Sequence, residues 1–244
     1  MAVVLESVTQ TLVGTNDTTP TFNMPATRPD GNLYALAAAC DGGIAALAFG
    51  GVLSDLTNST AAEGTVGAKV MYTIGASEPA SYTGSGDSEE YVFHLLRFSG
   101  MRTDADMFNN GLGTAGTGAS TTAVAPTDTP DFDGGMTIRL WGIDTDAPTG
   151  SAPAGHDNFN GSSSSAGGAG SAYGGIARQT ATTTATVAVG TATMGGTYDD
   201  GWGGVTFIVN VAVSVTPQQK NWIRTGHVQN MFGVRPRLPI GRSW

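Results

Sequence analysis

The sequence predicts an all-β protein, an antiparallel β sandwich of jelly-roll type with long loops and an extended C-terminal arm. Short apolar runs of strand length recur along the 244 residues, and the 36 glycines supply many of the turns between them. No apolar pattern keeps helical spacing for more than about two turns. Because strand-like runs are not separated by helical ones, an alternating β-α-β arrangement is excluded, and we expect about eight or nine strands.

The N-terminal region is predicted to begin with a strand and continue with a hairpin. Residues 2–13 (AVVLESVTQTLV) are rich in Val and Thr, and the Pro- and Asn-rich residues after them predict a loop. The runs LYALAAA and GIAALAFGGV are separated by Asp41-Gly42-Gly43, which is a hairpin signal. A helix is the alternative for the Ala-rich part, but the glycine pairs at 42–43 and 50–51 interrupt it too often.

Two strands with different surroundings are predicted next. In residues 65–75 the apolar side chains alternate with Lys69 and Thr73, as in a half-buried strand. Residues 89–100 (EEYVFHLLRFSG) are apolar on both sides, which indicates a central strand covered on both faces. His94 lies in this strand with no second histidine or carboxylate at metal-binding spacing. We therefore expect a hydrogen-bonded core histidine.

The second half of the chain is predicted to alternate strands with two long loops. Residues 134–144 place Met136, Ile138 and Leu140 on one face and Arg139 and Trp141 on the other. Residues 170–194 predict one or two strands bent at an Ala-Thr repeat, and residues 201–215 predict the last long strand. Residues 109–135 and 147–175 are rich in Gly, Ser and Thr and predict surface loops of unusual length, where binding often occurs.

The charge distribution argues against a nucleic-acid partner. The formal net charge is −9 and the pI is near 4.5, whereas nucleic-acid binding needs a basic surface. Residues 216–244 nevertheless hold five basic residues and no acidic one, so the first 215 residues carry −14, with six basic against twenty acidic residues. This basic segment is either solvated or docks on an acidic surface, its own or a neighbour's.

Cysteine usage and hydropathy exclude several other classes. Cys40 is the only cysteine, so no disulfide framework or cysteine-based zinc site can form, and its apolar run predicts a buried side chain. The first residues lack the basic start and uninterrupted apolar stretch of a signal peptide, and no apolar run reaches the length of a membrane span. We expect synthesis in the cytoplasm and no membrane insertion.

No catalytic residues are predicted, and no cofactor is expected. Four carboxylate pairs occur, at positions 104/106, 131/133, 144/146 and 199/200, and a glycosidase would need two such groups facing a sugar. Each pair lies in a turn-rich stretch, where aspartates cap turns. Calcium is a weak alternative, because DTDAP and DFDGG offer oxygen ligands without EF-hand spacing. The three histidines form no metal motif, and no serine lies in a G-x-S-x-G motif.

The series TRPDGNLYALAAA, AKVMYTIGASEPASYT, EEYVFHLLRFSG and MTIRLWGID resembles a group of phage and prophage virion proteins. The matching positions are Asp30-Gly31, Leu33, residues 70–72, 78–83 and 98–100, and the resemblance extends over roughly residues 20–215. FGGVLSDLTNST stands where the group has a Pro-x-Gly-Trp motif. The resemblance implies a jelly-roll-like β sandwich and a place on the head surface or in the tail of a tailed-phage virion. It brings no catalytic residues.

The sequence and the resemblance together predict a structural, non-enzymatic virion protein that forms homo-oligomers or binds neighbouring subunits. We expect a β-sandwich domain at 1–215 and an extended basic and aromatic arm at 216–244, with three prolines, that anchors on a partner. The assembly residues predicted in the arm are Trp222, Arg224, Phe232, Arg235, Arg237 and Trp244.

Two alternatives to a purely structural role remain. A tail-tip or fibre module would recognise host surface glycan through aromatic and Asp or Asn side chains of the long loops. The candidates are Asp157, Asn158, Phe159 and Tyr173. A glycan-degrading enzyme is the weaker alternative. Glycan-array binding would favour the first, and sugar release lost on changing one carboxylate pair would favour the second.

Overall fold

The computed structural model describes residues 2–63, 66–109, 111–117, 120–144, 150–165, 171–180, 190–198 and 201–212. Within these ranges the regular structure is entirely β, and each strand pairing is antiparallel. The expected all-β antiparallel class is therefore confirmed. The predicted domain boundary at 215 and all six predicted arm residues lie outside the described residues, and so does the Ala-Thr bend near residue 185.

The described residues contain fifteen strands, more than the eight or nine expected. Those in the first half are β1 (Val4–Asp17), β2 (Thr21–Asn23), β3 (Leu33–Asp41), β4 (Ser54–Glu63), β5 (Val66–Ile74), β6 (Ser81–Thr83) and β7 (Glu89–Ser99). Those in the second half are β8 (Leu112–Thr117), β9 (Ser120–Ala125), β10 (Met136–Asp144), β11 (Gly150–Ser151), β12 (Asp157–Ser163), β13 (Ala172–Thr180), β14 (Gly190–Tyr198) and β15 (Gly201–Val209).

Two five-stranded sheets form the centre of the fold. Sheet 1 has the order β1-β7-β3-β5-β4, and sheet 2 has the order β12-β13-β10-β15-β8. A three-stranded sheet, β11-β14-β9, and a two-stranded sheet, β2-β6, accompany them. Sheet 1 takes its strands from before residue 100 and sheet 2 from after residue 111. In a jelly roll the chain passes repeatedly between the two sheets, so the predicted jelly-roll type of the sandwich is not confirmed.

Sheets 1 and 2 bury one shared hydrophobic core between them. Sheet 1 contributes Leu33, Ala35, Ala37, Leu56, Ala61, Ala68, Val70, Leu96 and Phe98, and sheet 2 contributes Met136, Ile138, Leu140, Ile176, Val205, Phe207 and Val209. The predicted faces of residues 134–144 are thus confirmed. The predicted central strand is also confirmed, because β7 pairs with β1 on one side and with β3 on the other.

A row of glycines marks the closest approach of the two central sheets. Gly142 is in register with Gly174 on one side and with Gly203 on the other. A Cβ at Gly142 would lie 2.7 Å from the Gly67 carbonyl oxygen, and one at Gly203 would lie 2.9 Å from that of Ala61. Any side chain in this row would force the sheets apart, which explains why these strands alternate poorly in hydrophobicity.

The hairpin predicted across Asp41-Gly42-Gly43 is wrong. Strand β3 pairs with β5 and β7, so neither of its edges is free for residues 44–53. These residues form turns over the outer face of sheet 1, where Ile44, Leu47 and Phe49 are buried. This cover also changes the surroundings of Lys69, which was expected on an exposed face. Its side chain is buried, donates to the Leu47 carbonyl oxygen at 2.8 Å and lies 3.0 Å from an Asp55 carboxylate oxygen.

The two predicted long loops contain strands instead. Residues 109–135 include β8 and β9, and residues 147–175 include β11, β12 and the start of β13. Strands β9 and β14 cover the outer face of sheet 2, where Trp141 and Arg139 are fully buried. Arg139 Nη1 donates to the carbonyl oxygens of Ala125 at 3.0 Å and Pro126 at 2.9 Å. Ala and Gly are small enough to fit between these closely packed sheets. Because they are small, they hide the alternation of apolar and polar side chains that marks a strand.

Several of the residues that carry the phage resemblance are joined by hydrogen bonds beside sheet 1. Ser77 has a left-handed φ of 63°, and its backbone N–H donates to Asp30 Oδ1 at 2.8 Å. The Glu78 carboxylate accepts hydrogen bonds from the Ala76 N–H and the Tyr82 hydroxyl. Strand β6 follows and pairs with β2. The SEPASYT motif therefore holds the outer cover of sheet 1 in place, a packing role that needs no reactive group.

Candidate functional site

Strand β1 presents an unpaired edge of sheet 1. It pairs with β7 along one side, and no strand among the described residues pairs with its other side. The strand is 14 residues long, and Val4 and Leu12 are each 45% exposed. Its sequence, VLESVTQTLVGTND, contains no Lys, Arg or Pro, the residues that commonly protect sheet edges. Its free N–H and C=O groups can therefore accept another strand.

A groove of about 310 Å³ lies between β1 and β12, the neighbouring edge of sheet 2. Leu5, Ser7 and Val8 line it from β1, and Phe159 and Asn160 line it from β12. The Ser7 hydroxyl is buried and has no hydrogen-bond partner among the described residues. The groove is thus lined by apolar and polar groups in similar measure, with Leu5, Val8 and Phe159 beside Ser7 and Asn160.

The groove exists because the two edge strands meet at one end and separate at the other. At the closed end, Ser162 Oγ donates to Gln10 Oε1 at 3.1 Å, and a Cβ on Gly14 would lie 2.7 Å from the Ser164 carbonyl oxygen. At the open end, the register of β1 shifts between Leu5 and Ser7, and that of β12 shifts between Asp157 and Asn160. Such irregularities bend an edge strand and redirect its side chains.

The opposite side of the two central sheets is closed. There β4 and β8 come into contact, and a Cβ on Gly113 would lie 2.5 Å from the Thr60 carbonyl oxygen. Gly111 is equally close to Ser59. The two sides of the molecule therefore differ, and in the described residues the side with the 14-residue edge is the open one.

The charged groups beside the groove are mainly acidic. Glu6 is exposed on β1 and accepts a hydrogen bond from the Ser99 hydroxyl. The Glu90 carboxylate accepts a hydrogen bond from Ser164 Oγ at 2.5 Å. Arg178 is bound by Asp157, with Nε 2.7 Å from Oδ1. The surface along β1 therefore favours cationic partners.

The four predicted ligand residues lie in strands, not in a loop. Asp157 is exposed in β12 and paired with Arg178, and Phe159 is half-buried in the groove with its ring centroid 6.4 Å from that of Trp141. Asn158 is in β12, but its side chain is outside the described set. Tyr173 is buried in β13, and burial raises its pKa to about 12. Of the three side chains that the structure describes, Phe159 is the one that lines the groove.

Within the described residues, none of the four carboxylate pairs places two acids so that they face each other across a site. Asp104 and Asp106 both bind Arg102, at 2.6 Å and 3.1 Å, and the hydrogen bond from Arg102 lowers the pKa of Asp104. Asp131 and Asp133 are exposed on a turn, whereas Asp146 of the third pair and both aspartates of the 199/200 pair lie outside the described residues. Within the described residues, no cluster of three or more His, Cys, Asp or Glu side chains is placed to hold a metal ion.

The structure also forms an acidic cluster that the sequence did not predict. Strands β1, β3 and β7 bring Asp17, Asp41 and Glu89 to one end of sheet 1, because Asp17 is paired with Glu89. Burial raises the pKa of Glu89, and the Asp41 charge raises it further. A search for carboxylates near each other in sequence could not find this cluster, since its members come from three strands.

His94 and Cys40 are core residues. His94 is fully buried, and its Nε2 donates to the Gly174 carbonyl oxygen of the facing sheet at 3.1 Å. Burial lowers the pKa of His94 to about 4. Cys40 is buried in β3, and burial raises the pKa of its thiol, so the reactive thiolate is suppressed. Neither residue is placed to act on a substrate.

Comparison with protein-family models, with curated proteins and with solved structures gave no match. In the described ranges no helix has the length and apolar character that a membrane-crossing helix needs.

Proposed function

We propose that this chain is a non-enzymatic structural subunit of a tailed-phage particle, on the head surface or in the tail, that acts through contacts with other subunits. The resemblance of its strand series to phage and prophage virion proteins motivates the proposal. Its body is, on this view, a β sandwich made of sheets 1 and 2. We propose further that it is made in the host cytoplasm and binds neither nucleic acid nor membrane.

One observation carries the proposal: among the described residues, the long edge of β1 is unpaired and lies beside an open groove. The central strands β3, β7 and β10 are buried on both faces, and the opposite edges close on each other at β4 and β8. An unprotected strand edge adds a strand from another chain through main-chain hydrogen bonds. A subunit of a shell or tail needs such a surface, whereas a hydrolase needs paired reactive groups in a cleft.

The decisive experiment is to locate the protein by electron microscopy of purified particles. We expect it in ordered contact with identical or neighbouring subunits, in many copies on the head or a few copies in the tail. Particles assembled with the protein present in the cell but absent from their structure would overturn the proposal. A substrate turned over by the purified protein would also overturn it.

Recognition of a host surface glycan is a second candidate, favoured by one specific contact surface. Phe159 offers a half-exposed ring at the groove, next to the exposed Asn160. Stacking of a sugar on an aromatic ring with a flanking amide is a common arrangement for glycan binding. Binding on a glycan array that is lost in Phe159→Ala and kept in Thr57→Ala, a change on the other edge, would support this role.

A further inference from the structure

We infer that the β1 edge and its groove receive the basic C-terminal segment, residues 216–244, of a second copy of this chain. This inference rests on the proposed function and names the partner of the assembly surface. Three observations lead to it: the place where the described chain ends, the length of the remaining segment, and the charges of both parts.

The described chain ends beside the start of β1. The Ala212 N–H donates to the Gly100 carbonyl oxygen at 2.9 Å, and Val211 bridges to Met101. Gly100 follows β7 and packs against the Ala2 carbonyl oxygen, just before β1 begins. The last described residue, Ala212, therefore lies near the end of the edge that carries Leu5 and Val8.

The remaining segment is too long for one edge. At about 3.3 Å per residue, the 14 residues of β1 span about 46 Å, whereas 29 extended residues span about 96 Å. The prolines at 217, 236 and 239 favour an extended chain. A segment of this length can therefore reach the edge of a neighbouring copy.

The charges favour this exchange between copies. Two copies, each with a net charge of −9, repel one another, but a segment of +5 attracts a body that carries −14. Glu6 and Asp17 lie on β1 itself, and Glu90 lies nearby on β7. The segment also contains aromatic residues, Trp222 and Phe232, and arginines whose charge is opposite to that of these carboxylates, both of which are common in protein interfaces.

The test is crosslinking of the full chain from the groove. Asn160→Cys places a thiol at the exposed margin, where it can carry a benzophenone label, while the buried Cys40 stays unmodified. Labelled protein is mixed at low concentration with unlabelled protein enriched in ¹⁵N, and the mixture is then concentrated and irradiated. Thr57→Cys, exposed on β4 at the closed side, is the matched control.

We expect adducts between position 160 and residues 216–244, with about half of them joining a ¹⁴N chain to a ¹⁵N chain. The control position should give none of these. In the double variant R235E/R237E the adduct yield should fall about tenfold, while R235K/R237K should retain it. Adducts confined to single copies, adducts to another copy's strands, or no adducts would each overturn the inference. The proposed function would still stand if the protein were found in the particle.

Discussion

Protonation of His94 should make the fold sensitive to mild acid. The imidazole is fully buried between sheets 1 and 2 and donates to the Gly174 carbonyl oxygen, while Nδ1 has no hydrogen-bond partner in the described residues. Burial lowers its pKa from 6.5 to about 4, with the Gly174 bond acting weakly in the opposite direction. The neutral form is therefore the one that the folded protein accommodates.

The sign and size of the effect follow from this pKa. Between pH 6.5 and 4 the unfolded chain binds a proton that the folded chain does not, so the free energy of unfolding decreases as the pH falls through this window. Above pH 6.5 the group contributes no pH dependence. A pKa difference of about two and a half pH units corresponds to about 3 kcal/mol, and the slope approaches about 1.4 kcal/mol per pH unit.

The assay is urea unfolding followed by tryptophan fluorescence, repeated from pH 7.5 to pH 5. The His94→Gln variant should unfold more easily at pH 7.5, by about 1–3 kcal/mol, because the buried hydrogen bond changes. The free energy of unfolding of the variant should then fall less steeply with decreasing pH than that of the natural protein. The difference in slope should correspond to the uptake of close to one proton on unfolding. Carboxylates titrate equally in both proteins and cancel in the difference. Identical slopes would refute the assignment of a buried neutral histidine.

Three further changes test other parts of the structure. Gly142→Ala should destabilise the fold by about 1–3 kcal/mol in urea unfolding, whereas Gly50→Ala, which has open space, should change it by less than about 0.5 kcal/mol; equal effects would contradict the close sheet approach. Arg139→Met should cost about 2–4 kcal/mol and speed hydrogen exchange in β9; unchanged exchange there would contradict the anchoring of the third sheet. Glu89→Gln should raise stability at pH 7 but not at pH 4, because the carboxylate is disfavoured only above its unfolded pKa; stabilisation at both values would assign the gain to packing.

Patterns along single strands could be predicted from the sequence. Strand β7 is apolar on both sides, and it lies in the middle of sheet 1 with both faces covered. In β10 the alternation of Ile138 and Leu140 with Arg139 and Trp141 gives the two faces correctly. These patterns do not show how many sheets are stacked on one another. Arg139 is buried because a third sheet covers it, and nothing near it in the sequence indicates that cover.

The pairing of strands that are far apart in the sequence could not be predicted. The Asp41-Gly42-Gly43 turn is a local hairpin signal, but β5 and β7 already occupy both edges of β3, and this pairing depends on residues far along the chain. The glycine-rich strands could not be predicted for a related reason. In β13 and β15 the glycines allow close approach to sheet 1, so selection for packing removed the alternation that marks a strand. The groove has the same origin, since Leu5 and Phe159 meet only when two sheets are assembled.

The edge of β1, with which no strand in the described part of the chain pairs, and the net charge have opposing effects on association. An edge with exposed Val4 and Leu12 and no protecting Lys or Pro favours uncontrolled pairing, which natural proteins usually prevent. A charge of −14 on the first 215 residues keeps such edges apart in solution. A basic segment that neutralises the acidic edge only where it binds would restrict pairing to the intended contact. If the proposed exchange occurs, it would account for the opposite charges of the segment and the body, and for an edge strand without Lys or Pro.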